Sequence, residues 1–473
     1  MDIAENQSLV RLRRGEELTA GELCRMILAL SIPAIVAQIS TIIMQYIDAA
    51  MVGRLGAGGS AAIGLVSSTT WLFGGIAMAA GMGFTVQCAQ RIGAGDEADA
   101  RNLMKQGMLL TLAVSVVIGT AGILGSGYLP VWLGGDRSIC ADASRYFLIF
   151  AIFFPIERLG FTAGNFLQST GNMIIPGMIH VGMCILDVVF NMFLIFPESR
   201  FLGITLPGAG LGVAGAALGT GLARACSLAA MLFFLLVKSP ALHLRAGEHV
   251  RFRKDQIREG FRIALPVALE NVIMNSAQIT STRIVAPLGT ISVAANSLSV
   301  TAESLCYMPG FGIASAATAV IGQSIGAGRS DPDTVKEHRK TTRKIGWIIT
   351  AFGMAVMTFS GIMLYLAAPF MIGFFSPVPE VVDLGTKVLR IEAFAEPLFA
   401  ASIVGAGVMR GGGDTFVPAM ICLATMWLIR IPTAMFLAPR IGLSGVWIAM
   451  CVELCCRGIL FLVRQAQGKY AKG

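Results

Sequence analysis

Charged residues are scarce in this sequence. Asp, Glu, Lys and Arg together make up 14% of the 473 residues, whereas hydrophobic residues make up 55%, and the mean hydropathy is +0.73. Soluble globular proteins carry about 25% charged residues, so this composition excludes an ordinary soluble domain. It predicts an all-α polytopic membrane protein, whose chain crosses the bilayer many times.

The sequence also lacks the patterns of a metal centre, a disulfide framework or an enzyme active site. Of its four histidines, His243, His249 and His338 fall in predicted loops and His180 stands alone in an apolar run. The ten cysteines lie mainly within apolar runs and show no metal-ligand spacing. We therefore expect a protein that is not an enzyme and that needs no cofactor.

Apolar runs of 20 or more residues predict twelve transmembrane helices. Residues 1–22 are polar, so we expect a cytoplasmic tail there and no cleaved signal peptide. Basic residues then concentrate in inner loops, which predicts that both termini are cytoplasmic. The net charge of +8 follows from this topology and does not require a nucleic-acid partner. The predicted spans are 28–52, 60–86, 106–129, 143–167, 174–196, 210–237, 261–286, 292–321, 345–369, 385–409, 416–438 and 442–463.

The two halves of the chain resemble each other. Pro33 superposes on Pro266, an offset of 233 residues, and the same offset brings Gln90–Gly95 onto Gln323–Gly328. Because each half has six helices, both halves start on the same side of the membrane, which predicts parallel repeats with a substrate path between them. The predicted divisions are an amino-terminal tail at 1–22, an N-lobe at 23–237, a linker at 238–260, a C-lobe at 261–464 and a carboxy-terminal tail at 465–473.

Glycine-rich tracts in this sequence predict helix packing and turns. Gly210–Gly215 fits the pattern G-x-G-x-x-G, but it opens an apolar run and does not follow a strand, so it does not indicate a nucleotide site. Small residues at such positions are typical of closely packed helices. The Gly-Ala-Gly sequences that follow Gln90 and Gln323 predict turns that end two helices.

Acidic residues at membrane depth are the main functional signal. A charge inside the bilayer costs about 2.5–3.5 kcal/mol on insertion scales, so such residues mark paths for ions or substrates. By helix geometry, Asp48 and Asn191 lie about 7 Å, Asp187 about 13 Å and Thr220 about 15 Å below the outer boundary. Carboxylates with neutral oxygens suit a sodium ion or a shared proton. Two alternatives stay open: Asp48 extends to the interface, or these residues only bond neighbouring helices.

The second half carries different acids. Asp48 aligns with Ser281, so its carboxylate is not duplicated. Glu303 and Glu396 fall near mid-membrane, where an acidic cavity would receive a cationic substrate; the alternative is a structural role with Arg283 or Arg430.

Two further pairs, Glu157–Arg158 in the first half and Glu453–Arg457 in the second, predict local charge neutralisation. The candidates for a substrate cavity are Gln45, Gln278, Glu270, Glu303 and Glu396.

The chain resembles the multidrug and toxic compound extrusion (MATE) family over nearly its whole length. The residues that carry the resemblance are Pro33, Asp48–Gly56, Gln90–Gly95, Gln323–Gly328, Gly212–Ala217, Met409–Thr415 and Pro418. The resemblance implies two six-helix lobes that form a V-shaped central cavity, and export of cationic amphipathic drugs in exchange for sodium ions or protons. It also implies a coupling site at Asp48, Asp187, Asn191 and Thr220. Here Asp187 precedes Asn191, whereas many members have Asn before Asp.

Two rival functions were weighed against antiport. A flippase for a lipid-linked precursor would need basic residues in its cavity, and within the predicted spans acids outnumber them. A membrane-embedded enzyme would need a nucleophile-base pair or metal ligands, which the sequence does not offer. We expect a monomer in a bacterial or archaeal plasma (inner) membrane, with cationic small molecules and membrane lipids as its partners.

Overall fold

The structure of the protein is a computed structural model, which describes residues 7–14, 16, 18–201, 204–245, 247–330 and 335–472. Each predicted span coincides with one helix or with consecutive helices, so the all-α membrane fold is confirmed. The helices are α1 (Gln7–Arg13), α2 (Ala20–Gly53), α3 (Ala57–Gly93), α4 (Glu97–Gly125), α5 (Leu129–Trp132), α6 (Arg137–Ser169), α7 (Ile174–Ile195), α8 (Gly212–Phe233), α9 (Lys254–Val285), α10 (Thr290–Ser330), α11 (Val335–Phe375), α12 (Pro379–Glu392), α13 (Glu396–Gly411), α14 (Phe416–Ala424), α15 (Ile431–Ile441) and α16 (Leu443–Gln467).

Ten helices of the described residues are long and apolar enough to cross a membrane, and α12 with α13 forms an eleventh span that bends by 59°. The seventh predicted span is α9, which is helical but carries Asn271, Asn275 and Ser276 along its length. Two stretches of π-helix, Phe234–Lys238 and Thr425–Arg430, extend α8 and join α14 to α15. A short antiparallel hairpin between α7 and α8, made of β1 (Glu198–Phe201) and β2 (Ile204–Pro207), was not predicted.

Helix ends follow local sequence signals. At the start of α2, the Thr19 amide donates to Glu22 Oε2 at 2.9 Å and the Glu22 amide donates to Thr19 Oγ1 at 3.3 Å, which is a capping box. The first Gly-Ala-Gly sequence ends α3 as predicted, with Gly95 at φ +78°. The prediction for the second sequence is wrong, because α10 continues through Gly328 to Ser330. There the glycines allow close packing and do not break the helix.

The chain forms two compact units. Unit 1 includes Ser40–Cys88 and Glu97–Ala264. Within it, α6 packs on α4 and α8, and α7 packs on α8. Phe73, Phe147 and Phe154 form an aromatic cluster, in which Phe73 lies 5.9 Å from Phe147 and 6.2 Å from Phe154 between ring centroids.

The predicted linker is attached to α4 within unit 1. Arg101, which is 2% exposed, donates from Nη2 to Glu248 Oε1 at 2.8 Å, and Lys105 Nζ donates to Glu248 Oε2 at 3.2 Å. Asn102 exchanges two hydrogen bonds of 2.9 Å with the backbone of Arg251. This segment is therefore ordered against α4.

Unit 2 contains Glu5–Ile39, Ala89–Asp96 and Leu265–Gly473. Within it, α10 packs on α11 and α13, and α16 packs on α13 and α15. Its largest fully buried side chain is Trp447, whose Nε1 donates to Asn296 Oδ1 at 3.0 Å. A buried indole with a partnered N–H satisfies both the apolar and the polar part of the side chain.

Candidate functional site

The predicted residues of unit 1 converge on one amide group. Asn191 Nδ2 donates to Asp48 Oδ1 at 2.8 Å and to Asp187 Oδ2 at 3.1 Å. Asp187 and Asn191 lie four residues apart on α7 and so face the same side, while Asp48 comes from α2. An amide NH₂ group has two donors, and here each is used by a different carboxylate.

This site is buried, and two of its oxygen atoms lack a hydrogen-bond donor among the described residues. Asp187 and Asn191 are fully buried, and Asp48 is half-buried. Among the described residues, Asp187 Oδ1 and Asn191 Oδ1 have no hydrogen-bond partner. Buried polar atoms are almost always paired, so these two oxygens fit a hard cation or a proton that joins them.

Small residues on α8 bring this helix close to α7. A Cβ on Gly215 would overlap the Leu194 carbonyl, and a Cβ on Gly219 would overlap Asn191 Oδ1. The predicted role of the Gly210–Gly215 tract in close packing is thus confirmed at Gly215. The sequence analysis did not single out Gly219. The pattern that could have revealed it is a run of small residues on α8 that faces a polar residue on α7.

Thr220 follows Gly219 on α8 and is half-buried. Among the described residues, no hydrogen bond joins its hydroxyl to Asp48, Asp187 or Asn191. Its position one residue beyond the contact with Asn191 places it at the edge of the site.

A second charged group lies on α6 and α8. Arg224 Nη1 pairs with Glu157 Oε2 at 2.5 Å, and Arg158 pairs with the other oxygen of Glu157. The predicted neutralisation of Glu157 is therefore present, with a second arginine that the sequence did not reveal. Arg224 also interacts electrostatically with Asp48, so the coupling candidates lie near a fixed positive charge.

The substrate-cavity candidates have different environments. Gln45 on α2 and Gln278 on α9 are exposed. Glu270 is half-buried and lies 3.4 Å from Arg410 Nη2. Glu303 and Glu396 are 6% and 0% exposed, so both are inside unit 2.

Glu303 and Glu396 belong to a buried acidic group with Glu392. Glu392 is fully buried and interacts electrostatically with Glu303, Glu396, Arg430 and Glu453. Both carboxylate oxygens of Glu392 and of Glu396 lack hydrogen-bond partners among the described residues. Arg430, one of the two predicted alternatives, lies in this group, while Arg283 is exposed. The predicted pair of Glu453 with Arg457 is present at 3.0 Å.

The sequence matches a known family and known folds. The sequence model of the MatE family matches residues 33–193 and 266–436, two segments whose starts differ by the same 233 residues as the internal repeat. The chain is 26% identical over 465 residues to the probable multidrug resistance protein NorM of Thermotoga maritima, covering 95% of this chain and 94% of that protein. It is 25% identical over 459 residues to the multidrug resistance protein MdtK of Yersinia pestis, with coverage of 93% and 94%.

Two solved structures share the fold. A crystal structure of MATE in the straight conformation superposes with a TM-score of 0.86 at 20% identity, covering 98% of each chain. The Vibrio cholerae MATE transporter VcmN in the bent form gives a TM-score of 0.83 at 18% identity, with coverage of 95% and 97%. At these identities the likeness concerns the fold alone.

Proposed function

This chain belongs to the MatE family, and on that premise we propose that it is a multidrug efflux transporter of the membrane. In finer terms, we propose a secondary active antiporter that exports cationic amphipathic drugs or toxic compounds in exchange for sodium ions or protons. The relatives named for multidrug resistance support this proposal, and their match extends over nearly the whole chain. No cofactor and no enzymatic step are part of it.

The coupling site proposed for this activity is Asp48, Asp187 and Asn191, with Thr220 at its edge. The observation that carries it is the pair of buried oxygens, Asp187 Oδ1 and Asn191 Oδ1, that have no partner among the described residues. Sodium is a hard cation that prefers oxygen ligands, and a proton would be shared between the two acids. Either species would complete the site.

Transport then follows from competition between two ligands. A cation or proton bound at Asp48 and Asp187 favours one orientation of the lobes, and a bound drug favours the other. Each ligand must leave before its counterpart loads, so the gradient of one drives the other outward. Acidic side chains suit a cationic substrate by charge, and for this reason Glu270, Glu303 and Glu396, with Gln45 and Gln278, remain our substrate-cavity candidates.

We further propose a monomer with both termini in the cytoplasm of a bacterial or archaeal cell, and the five-part division into tails, lobes and linker at 1–22, 23–237, 238–260, 261–464 and 465–473. A flippase for a lipid-linked precursor, the rival function, is not favoured. The relatives reported above are named as multidrug resistance proteins, and the buried groups with unpartnered oxygens include the acids Asp187, Glu392 and Glu396.

The test is ethidium efflux from a drug-sensitive bacterium that expresses the protein, with sodium and proton gradients imposed separately. Asp48→Asn is expected to reduce export at least tenfold under the gradient that drives the wild type. The matched control is Asp142→Asn, the same chemical change at an exposed position of α6, which is expected to export normally. Export by Asp48→Asn at the wild-type rate under both gradients would disprove the coupling role.

A further inference from the structure

The bent span of α12 and α13 borders a cavity that the proposed transport mechanism does not use. Its volume is about 270 Å³, and it is lined by residues of α11, of α12 with the break that follows, and of α16. All of these residues belong to unit 2. We call it the bend cavity, and the side chains that matter here are Tyr365, Arg390, Phe394 and Val452.

Most of the wall of the bend cavity is apolar or aromatic. The rings of Tyr365 and Phe394 meet edge to face, with their centroids 6.0 Å apart. Phe394 lies in the break between the two helices and is 73% exposed, and Val452 on α16 is 43% exposed. Both α11 and α16 are long and apolar enough to cross a membrane. Exposed apolar side chains on such helices face lipid, so an acyl chain can enter the bend cavity from the bilayer.

One cation lies in this apolar wall. Arg390 Nε donates to the Tyr365 carbonyl at 3.3 Å, and its guanidinium carbon lies 5.0 Å from the centroid of the Tyr365 ring. These contacts orient the side chain, yet no carboxylate among the described residues forms an ion pair with it. A guanidinium carries further N–H donors in a planar fork that suits a phosphate group. The charge of Arg390 is therefore available to an anion.

The depth of Arg390 makes an unpaired charge costly. Tyr365 lies ten residues before the end of α11 at Phe375, and Arg390 lies eleven residues after the start of α12 at Pro379. At about 1.5 Å per residue, both are roughly 15 Å from the turn that joins these helices, which is about half of a hydrocarbon core of about 30 Å. A charge at such a depth is expensive unless a partner neutralises it. A negatively charged ligand would be that partner.

The other side of the same break faces the interior of unit 2. Glu392, two residues after Arg390, is 0% exposed and lies in the buried acidic group, whereas Arg390 is exposed. The break thus separates inward-facing acids from an outward-facing cation. Arg390 would repel a cationic drug, the substrate class proposed above. The charge of the bend cavity therefore favours an anionic ligand.

We infer that the bend cavity binds an anionic phospholipid, with the phosphate at Arg390 and one acyl chain against Tyr365, Phe394 and Val452. The inference goes beyond the transport function and depends only on contacts within unit 2. A soluble anion would use Arg390 but not the apolar wall. A zwitterionic lipid would use the wall, but the cation of its headgroup would compete with Arg390 for the phosphate. An anionic phospholipid satisfies both parts of the cavity.

Lipid binding to the purified protein in detergent tests this inference. Native mass spectrometry measures the apparent affinity for phosphatidylglycerol and for phosphatidylcholine with the same acyl chains. Wild type is expected to bind phosphatidylglycerol at least fivefold more tightly than phosphatidylcholine, and Arg390→Gln is expected to lose this preference. Glycerol phosphate, the headgroup without acyl chains, is expected not to displace the lipid.

The matched control is Arg440→Gln. Arg440 is also exposed, donates to the Phe436 carbonyl at 2.7 Å and lies 3.5 Å from the centroid of the Phe436 ring, but it does not line the bend cavity. This variant is expected to bind both lipids as wild type does. An equal preference for phosphatidylglycerol in wild type and Arg390→Gln would overturn the inference, and so would the same loss in Arg440→Gln.

A second variant tests the apolar part of the site and decides the question if Arg390→Gln does not fold. Val452→Trp places an indole at the bend cavity and is expected to weaken phosphatidylglycerol binding at least fivefold at unchanged thermal stability. Val463→Trp, the same change at another exposed position of α16, is the matched control. Binding by Val452→Trp at the wild-type level would contradict the inference, and so would displacement of the lipid by glycerol phosphate.

Discussion

At the residue scale, Asn191 holds the two proposed coupling carboxylates together. Asn191→Leu removes both donors, so Asp48 and Asp187 face each other without the amide between them. Loss of a buried hydrogen-bond partner costs about 1–3 kcal/mol for each group left unpaired. We expect lower thermal stability in detergent and a loss of dye export; stability and export equal to wild type would show that the bridge has no role.

A substitution at Gly219 gives a more specific test, because it would displace the Asn191 side chain without changing its chemistry. A methyl group at this residue overlaps Asn191 Oδ1, so Gly219→Ala is expected to displace the amide and to reduce export severalfold. The control is Gly182→Ala on α7, where the added carbon meets nothing within 4 Å. There alanine is expected to leave export unchanged and to stabilise the helix by up to about 1 kcal/mol.

At the element scale, the segment predicted as a linker is fixed to α4 by an ionic contact that depends on pH. Hydrogen bonds from Arg101 and Lys105 lower the pKa of Glu248 from its usual 4.5 to about 2. A lowered pKa means that the contact stabilises the folded linker above pH 4.5 and that this stability is lost as the pH falls towards 2.

We therefore expect Glu248→Gln to lower the unfolding free energy by about 1 kcal/mol at pH 7, with the gap to wild type closing as the medium is acidified. Thermal unfolding in detergent across this pH range measures the gap. Glu259→Gln is the control, because its pair with Arg262 at 3.7 Å is exposed and contributes little. A gap that is independent of pH would refute the ionic explanation.

The span made of α12 and α13 is bent, and hydropathy does not predict such a break within a span. The sequence predicts one span at 385–409, yet the helix breaks between Glu392 and Glu396 and bends by 59°. Pro397 at the start of α13 suits a first helical turn. The break turns Glu392 and Glu396 into the interior of unit 2, where both are fully buried.

At the scale of the whole molecule, the two repeats share a fold but differ in chemistry. Ser281, the counterpart of Asp48, is 5% exposed and lies in a small pocket with Asn296, Arg430 and Trp447. A carboxylate at position 281 would face Arg430. It would not face a second acid across an amide, as Asp48 does. Ser281→Asp is therefore expected not to restore export to Asp48→Asn, and recovery of export in the double variant would contradict this asymmetry.

Much of this architecture is predictable from the sequence, because it depends on local composition. Most of the spans follow from apolar runs, and the repeat follows from Pro33, Pro266 and the two glutamine motifs. Asp187 and Asn191 share a face because a helix has 3.6 residues per turn. The candidate residues were thus predicted from the sequence, but the Asn191 bridge between them was not, since the rotation of α2 against α7 is set by packing.

The sequence by itself determined that this is a membrane protein of two repeated halves with acids inside apolar segments. Only the tertiary structure decided which of these acids meet a partner and which stay unpartnered. It also decided that the second Gly-Ala-Gly sequence continues a helix and packs against Gln90. Periodicity and hydropathy act along one segment, whereas contacts between segments depend on how closely small residues such as Gly93, Gly219 and Gly326 let backbones approach.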